Sequence, residues 1–394
     1  MKILVIHNHY QFRAGEDQVV AAEIELLRHH GHDVIVFTRD NADIPSFSWL
    51  RKLISIIGGF ASYSTCRDLR RVIKTSRPDV VHVHNVFPLI SPAIYRAIKR
   101  HGLPVVQTIH NYRFLCPNGL FFMSDHVCPH CDATYLHCIA NRCYRSSTAF
   151  SLWYSAILAW HRFLRTFQNC IDRYIVMSTF AREVFVRAGF DERKFSVKPN
   201  AATLTIPPVD QPDDYVLFVG RCAWEKGILT LIKAAALVPS LKVKVIGSGP
   251  LDPQMCELVA SRNLTNVELM GQQPHCIVEH HLAHALALVF PSLCYENCPM
   301  VVVNSLWAGT PVVAARTGGI PGFVPEEIAG WLCTPGSVDE LATKLAWIAD
   351  NKEAMRRMRP AVRAWGIQQF NKEKSYATLM KVYTDAIAAG QPGP

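Results

Sequence analysis

The chain has 394 residues, 49% of them hydrophobic, and a formal net charge of +9. That length exceeds what one ordinary core supports, so two domains are expected, and the apolar share excludes a disordered or fibrous chain. No run reaches the ~18 uncharged apolar residues of a spanning helix. Met1–Tyr10, MKILVIHNHY, does not read as a secretory signal. A cytoplasmic setting is therefore expected, with the 13 cysteines mostly as thiols or metal ligands.

In the first half, strands alternate with helices. Lys2–His7 is a short β-rich run. A turn with glycine (RAGED) leads into a helical pattern from Gln18 to His30, ended by Gly31, and HDVIVFT is the next strand. DVVHVHN, the helix SPAIYRAIKRHG and the strand LPVVQTIHN continue the rhythm, and RYIVMS and KFSVKPN close it. This alternation implies a parallel, doubly wound sheet. Residues 1–200 also hold 25 Lys and Arg against 15 Asp and Glu, whereas residues 201–394 hold 16 against 17. A basic first half suggests an anionic partner such as phospholipid headgroups, a lipid-linked pyrophosphate or nucleic acid, or else a merely solvated surface.

The segment 111–145 breaks the rhythm: it is irregular and rich in Cys, His and Asn. The two-residue spacing of CPHC lets Cys128 and Cys131 chelate one ion, and Cys116 and Cys143 each lie twelve positions from the nearer of them. Four thiolates at tetrahedral geometry make a closed, structural zinc site. Cys138, His126, His130 and His137 are substitutes, and reduced thiols in a packed loop, or a disulfide, are the competing readings. The stretch 146–167, flanked by Arg145, Arg162 and Arg165, suits either a membrane surface or a core-packed helix, and 47–60 invites the same two readings.

Residues 201–214, polar with three prolines, read as the linker. The rhythm then restarts with YVLFVG, GILTLIKAAALV, LKVKVIG, NVELMG, LALVFPS, TPVVAA and GWLCT, and 351–390 reads as helix. Ligands of open α/β sheets bind beyond the carboxyl ends of the strands, so two facing lobes predict a site in a central cleft. Arg221 and Lys226 follow the strand YVLFVG beside a helix start, where two cations and backbone N–H groups suit a diphosphate. Gly247 and Gly249 form a second glycine turn, open to a phosphate or simply tight. In YENCPMVVVNSLWAG, Glu296 precedes a short apolar helix over 299–308 with Pro299 in its first turn and Gly309 at its C-cap. Glu296 suits sugar hydroxyls, N–H groups at 298–301 an anion, and the Asn304 amide two vicinal hydroxyls.

The order GR…EKG, GSGP, PS…E and AGTPVVA…GGIP resembles the retaining glycosyltransferases of family four, and AGEDQVVAAEIELLRHHGHDV, PDVVHVHN, TIHNYRFLCPNGLF and VKPN resemble its N-terminal half. The resemblance implies the GT-B fold, two Rossmann-like parallel-sheet domains facing a central cleft. It divides the chain into an acceptor-binding domain over 1–200, a linker over 201–214, a nucleotide-sugar domain over 215–366, and a C-terminal helix over 367–394 packing back on the first domain. It implies transfer of a hexose from a nucleotide-diphosphate sugar to a glycan or lipid-linked acceptor in cell-surface polysaccharide synthesis, with no cofactor needed for the chemistry. Arg221 and Lys226 would clamp the pyrophosphate, Glu296 would orient the sugar, His110 would face the reacting sugar, and Gly15 would let backbone approach a phosphate. Gly247, Gly249, Gly271, Asn297, Cys298, Met300, Val301 and Asn304 would complete the donor site. Some exopolysaccharide-type members have a similar LCPNG…C..C…CYR segment, so a structural zinc at Cys116, Cys128, Cys131 and Cys143 stays among the expectations.

Three positions depart from the family pattern. Asn304 stands in place of the second acid of its Glu-(seven residues)-Glu motif, which predicts altered donor affinity with the chemistry kept. Ala14 replaces one of a glycine pair, and Gly322 stands where GGIPE is usual. Together with the basic half, the apolar stretches favour peripheral contact with an anionic inner membrane face. A nucleotide-sugar epimerase or a non-catalytic sugar-nucleotide binder is the alternative. A nucleic-acid binder leaves the second half unexplained, so no nucleic-acid partner is expected.

Overall fold

The computed structural model describes residues 1–11, 15–123, 126–131, 134–207 and 209–390, so Ala14 lies outside the described residues. In chain order the strands are β1 (Lys2–His9), β2 (Asp33–Asp40), β3 (Val80–Val83), β4 (Val105–Ile109), the small antiparallel pair β5 (Phe122–Met123) and β6 (His126–Val127), then β7 (Arg173–Val176) and β8 (Phe195–Val197). The second series is β9 (Tyr215–Val219), β10 (Lys242–Ile246), β11 (Val267–Gly271), β12 (Ala287–Phe290), β13 (Val312–Ala315) and β14 (Gly330–Cys333).

They form two six-stranded sheets, ordered β2-β1-β3-β4-β7-β8 and β11-β10-β9-β12-β13-β14, and every pairing in both is parallel. Strands buried on both faces need unbroken apolar runs, and Ile3–Ile6, Val80–Val81 and Val312–Ala315 supply them at 0–1% exposure. Each sheet is doubly wound, as the alternating sequence implies.

The chain divides into two compact units. Unit 1 comprises Met1–Leu120, Pro129–Lys198 and Lys372–Pro394, and unit 2 comprises Phe121–Cys128 and Pro199–Asn371. In unit 1 the helix Lys372–Gly390 lays Leu379, Val382, Tyr383 and Ala386 into the core with Ile3, Val5, Val80 and Val106. In unit 2 the helices Ile228–Ala235 and Val338–Asp350 cover one face of the sheet with Ile228, Leu231, Leu341 and Leu345.

Three details differ from the sequence reading. The described residues of 201–214 are tied along unit 2: Ala202 N donates to Phe370 O at 3.0 Å, Thr205 Oγ1 to Glu279 Oε2 at 2.8 Å, and Asp213 N to His284 O at 2.8 Å. Backbone N–H groups and the Thr205 hydroxyl serve as fastenings. The boundary read at 366 falls inside the helix Lys352–Phe370, and the break comes at Asn371. Gly366 is there for packing, since a Cβ on it would meet Leu306 O at 2.3 Å. Pro299 occupies the N-cap of the helix Met300–Ala308, outside its first turn, while Gly309 closes that helix at φ 82° as read.

Candidate active site

In unit 2 the carboxyl ends of β9, β10, β12 and β13 carry four loops, and glycines decide how closely they approach. Gly227, at φ 67° after the turn Trp224–Lys226, lies so near Pro291 that a Cβ would come within 2.0 Å of its carbonyl oxygen. Gly247, at φ 139°, abuts Gly220 O in the same way, and Gly249 abuts Cys222 O. The GSG turn is thus a close backbone contact between neighbouring loops. Gly271 at the end of β11 accepts the Gly247 N–H at 2.8 Å. Gly318, at φ 57°, leaves no room for a Cβ beside the Glu296 backbone, and Gly319 N donates to Glu296 O at 2.8 Å.

This framework places the charged groups. Lys226 Nζ stands 2.6 Å from Glu296 Oε1, which also accepts the Ser292 hydroxyl at 2.7 Å and has the Cys294 thiol at 3.7 Å. Burial works against the Lys226 charge, but Glu296 outweighs it and holds the ammonium above its ordinary range. The Cys294 thiol is pushed up to about 12, chiefly by burial and then by Glu296. Arg221 donates to Glu225, whose backbone oxygen accepts Leu293 N at 2.8 Å and Ser292 Oγ at 3.0 Å. The two cations expected to clamp a diphosphate therefore each hold a carboxylate, and Lys226 holds the acid expected to orient the sugar.

Asn297 and Cys298 are buried before the helix Met300–Ala308, Cys298 O accepts Asn200 Nδ2 at 3.2 Å, and Met300 and Val301 are half-buried in its first turn. Asn304 is occupied by the start of unit 2: its Oδ1 accepts the Thr203 N–H at 3.0 Å and its Nδ2 donates to Thr203 Oγ1 at 3.2 Å. An amide there closes a two-point hydrogen bond with a backbone donor. A carboxylate offers only acceptors.

In unit 1, the strand ends carry histidines. His110, half-buried just after β4, has Nε2 2.9 Å from His84 Nδ1. His84 Nε2 lies 3.4 Å from Glu23 Oε1, and His82 Nδ1 lies 3.2 Å from that oxygen and 2.7 Å from Tyr383 OH. Lys198 Nζ meets Glu23 Oε2 at 2.9 Å and Ser375 Oγ at 3.3 Å. Burial alone would raise the Glu23 pKa, but Lys198, then His82, outweigh it and hold the group ionised. Burial lowers His82 to about 4, holds His84 well below its ordinary range, and lowers His110 as well. Neutral imidazoles follow, and the Glu23 carboxylate favours the His84 tautomer with its proton on Nε2. His84 Nδ1 then accepts from His110 Nε2–H, which sets the His110 tautomer. Gly15 opens the helix Gly15–His29, whose first turn brings Asp17 to His7 Nε2 at 3.0 Å and His9 Nδ1 at 2.8 Å.

His7, His9 and Asp17, and likewise Glu23, His82 and His84, each converge three ligand atoms within 4.8 Å. In the second group Lys198 already supplies the cation. Reading the sequence missed Glu225, Ser292, Glu23 and the paired histidines. The signal was present in His7-x-His9 and His82-x-His84, since alternate residues of a strand share a face. Of the expected zinc ligands, Cys131 contacts Cys116, and its other thiol neighbour is Cys138.

Two Rossmann-like parallel sheets in tandem, with glycine-rich loops and charged groups at the carboxyl ends of the strands, define a GT-B protein. The family model described as "Glycosyltransferase Family 4" matches residues 15–205 and that of "Glycosyl transferases group 1" residues 205–365, and the chain belongs to this family of glycosyltransferases. It is similar to the amylovoran biosynthesis glycosyltransferase AmsK of Erwinia amylovora, 26% identical over 221 residues, 53% of each chain. The chain spans about half the length of several of the curated relatives it matches. Among solved structures it is similar to sucrose-phosphate synthase of Thermosynechococcus elongatus, with TM-score 0.72, 19% identity and coverage of 98% and 99% of the two chains. It is also similar to Anabaena HepE in complex with UDP and glucose, with TM-score 0.67, 18% identity and the same coverage. At these identities the structural likeness concerns the fold.

Proposed function

We propose that the protein is a retaining glycosyltransferase that moves a hexose from a nucleotide-diphosphate sugar to a lipid-linked glycan in cell-surface polysaccharide synthesis. The observation that carries this reading is the Lys226–Glu296 pair, 2.6 Å apart at the strand ends of unit 2 in a chain of this family. Lys226 is an ammonium held charged in a partly dry place, where a leaving diphosphate gains most from it. When a donor enters, Lys226 and Arg221 turn part of their charge from Glu296 and Glu225 to the diphosphate. Glu296, released on one oxygen, accepts from the sugar hydroxyls. The bond from the anomeric carbon to the diphosphate oxygen breaks as the acceptor oxygen bonds to that carbon on the same face, and the acceptor's proton passes to the departing diphosphate oxygen. His110, fixed in one tautomer by His84, is assigned to the reacting sugar on the side of unit 1.

AmsK is named for polysaccharide synthesis and HepE is described with UDP and glucose, which supports this class of acceptor and donor. The test is a thermal-shift panel of nucleotide sugars. A stabilising ligand raises the melting temperature by mass action, and Lys226→Ala/Arg221→Ala removes the shift. A shift that survives in that variant breaks the assignment. Incubation with the responding donor alone separates transfer from epimerisation, since an epimerised sugar formed without acceptor favours the second reaction.

Unit 1 also supports a peripheral station at an anionic membrane face. The helix Trp49–Gly58 leaves Trp49 72% and Ile54 and Ile57 each 64% exposed, beside Arg51 and Lys52. The helix Thr148–Phe163 leaves Phe163 78% exposed, and Trp153 Nε1 donates to Ile56 O at 2.7 Å, so the two apolar faces adjoin. Among the described residues no helix is long and apolar enough to cross a membrane. Co-sedimentation with vesicles containing phosphatidylglycerol, and its loss with Trp49→Glu/Ile54→Glu, checks this. Equal binding to neutral vesicles contradicts the electrostatic part.

A further inference from the structure

Unit 1 brings three metal-ligating side chains together in two places. The group around Glu23 already has the Lys198 ammonium at 2.9 Å. The other group, His7, His9 and Asp17, takes no part in the proposed transfer, and its ligand atoms all lie within 4.8 Å of one another.

Regular structure sets this convergence. His7 and His9 alternate on β1 and so share one face of the sheet. Parallel pairing with β2 fixes their backbone, His7 opposite Thr38 and His9 opposite Asp40. Asp17 comes from the first turn of the helix Gly15–His29. One oxygen, Asp17 Oδ1, lies 3.0 Å from His7 Nε2 and 2.8 Å from His9 Nδ1. The two imidazoles stand edge to face with ring centres 4.7 Å apart. His7 is 0% and Asp17 7% exposed, while the His9 side chain, 24% exposed, lines a cavity of about 610 Å³.

We propose that His7, His9 and Asp17 bind one zinc-class divalent ion, reached from that cavity. Ligand bonds of about 2.1 Å set neighbouring donor atoms about 3 Å apart around one ion, and both nitrogens keep that spacing from Asp17 Oδ1. Two imidazoles and one carboxylate suit zinc, cobalt or nickel, whereas magnesium and calcium prefer a shell of oxygens. A second observation concerns His7 Nδ1, which is sealed from solvent with no hydrogen-bond partner among the described residues. Leaving a buried ring nitrogen unmet costs about what one hydrogen bond to Asp17 returns, so that bond alone does not account for the aim of the ring. A coordinate bond from Nε2 does.

In the loaded site each imidazole keeps one proton, on the ring nitrogen turned away from the ion, and Asp17 is a carboxylate. A divalent ion then leaves one surplus positive charge. The cavity suits it: its walls carry Asp40, Asp43 and Asp68 against Arg39 and Arg51, and Arg39 is already engaged by Asp68 at 2.8 Å. Three protein ligands leave the ion open on the His9 side, for water or an oxygen of a bound ligand. The ion also joins the end of β1 to the first turn of the helix Gly15–His29.

The test strips the full chain with EDTA and titrates it with cobalt(II) chloride. Two variants are titrated alongside: His9→Ala at the exposed ligand, and Asp17→Asn, which keeps an acceptor oxygen for both rings but gives up the charge. Wild type is expected to bind one more cobalt per chain than His9→Ala. The difference between their spectra should show d–d bands of nitrogen and oxygen donors, without the thiolate charge-transfer band that cysteine ligands would give. Asp17→Asn should weaken the same site about tenfold or more. Equal cobalt uptake by wild type and His9→Ala, a thiolate band in the difference spectrum, or undiminished affinity in Asp17→Asn would each overturn the proposal. Should one variant fail to fold, the other decides, and wild-type protein that takes up no cobalt overturns it outright.

Discussion

The two sheets equip the same end of the same architecture by opposite means. Unit 2 builds with backbone: Gly227, Gly247, Gly249 and Gly318 let loops touch, and a few charged side chains stay near the surface. Unit 1 builds with buried ionisable side chains, Glu23, His82, His84 and Lys198, all at most 7% exposed. Loops pressed together by glycine can shift their charges from one partner to another. A buried ion pair ringed by neutral histidines cannot, because each charge depends on the others staying in place. The difference suits a unit that must exchange a diphosphate and a unit that must hold one imidazole still.

That contrast can be broken experimentally. The largest effect is expected for Lys226→Ala, which removes the cation from a leaving diphosphate and should lower kcat/KM about 10²–10³-fold in a transfer assay, with little change in melting temperature. A large loss of stability instead would make Lys226–Glu296 a structural pair. In unit 1 the signs reverse. Glu23→Gln leaves the Lys198 ammonium buried without its partner and should destabilise the fold by about 3–5 kcal/mol, read by denaturant unfolding. Glu23→Gln/Lys198→Met should recover much of that.

The pH dependence follows from buried histidines of the same unit, one in that cluster and one outside it. His82 and His161 have folded pKa values of about 4, lowered mainly by burial, against roughly 6.5 unfolded. The unfolded chain binds these protons first, so stability is full above about pH 6.5 and falls as pH drops towards 4. The lowered Glu23 pKa acts in the same direction. A thermal melt series from pH 7.5 to pH 4.5 should show this decline, and a flat profile would mean that the imidazoles are hydrated. The smallest effect concerns Asn304. Asn304→Ala strands the Thr203 N–H and should cost about 1–3 kcal/mol, whereas Asn304→Asp still accepts it and should stay close to wild type.

The sequence made unit 2 legible because its site is local. Arg221, Lys226 and Glu296 each follow a strand within a few residues, and a glycine in the right place marks a close backbone approach. The folded chain added what spacing cannot carry: that Lys226 and Glu296, seventy positions apart, hold each other, and that Thr203 engages Asn304. Unit 1 was legible as fold and only partly as site. His110 stood out at a strand end, but Glu23, His84 and Lys198 come from a helix and two other strand ends, and their meeting is set by sheet order.

The helix Lys372–Gly390 has a consequence for how the protein is made. Its Tyr383 and Ser375 complete the cluster around Glu23, and its apolar face fills the core of the first sheet. Domains generally fold as units while the ribosome is still at work, the earlier before the later. Here the second unit has its residues in hand by Asn371, while the first still lacks a wall. The first unit must therefore wait, half-finished and with an open core, until the rest of the chain has emerged. Nascent chains stalled just beyond residue 371 should bind chaperones through their N-terminal half.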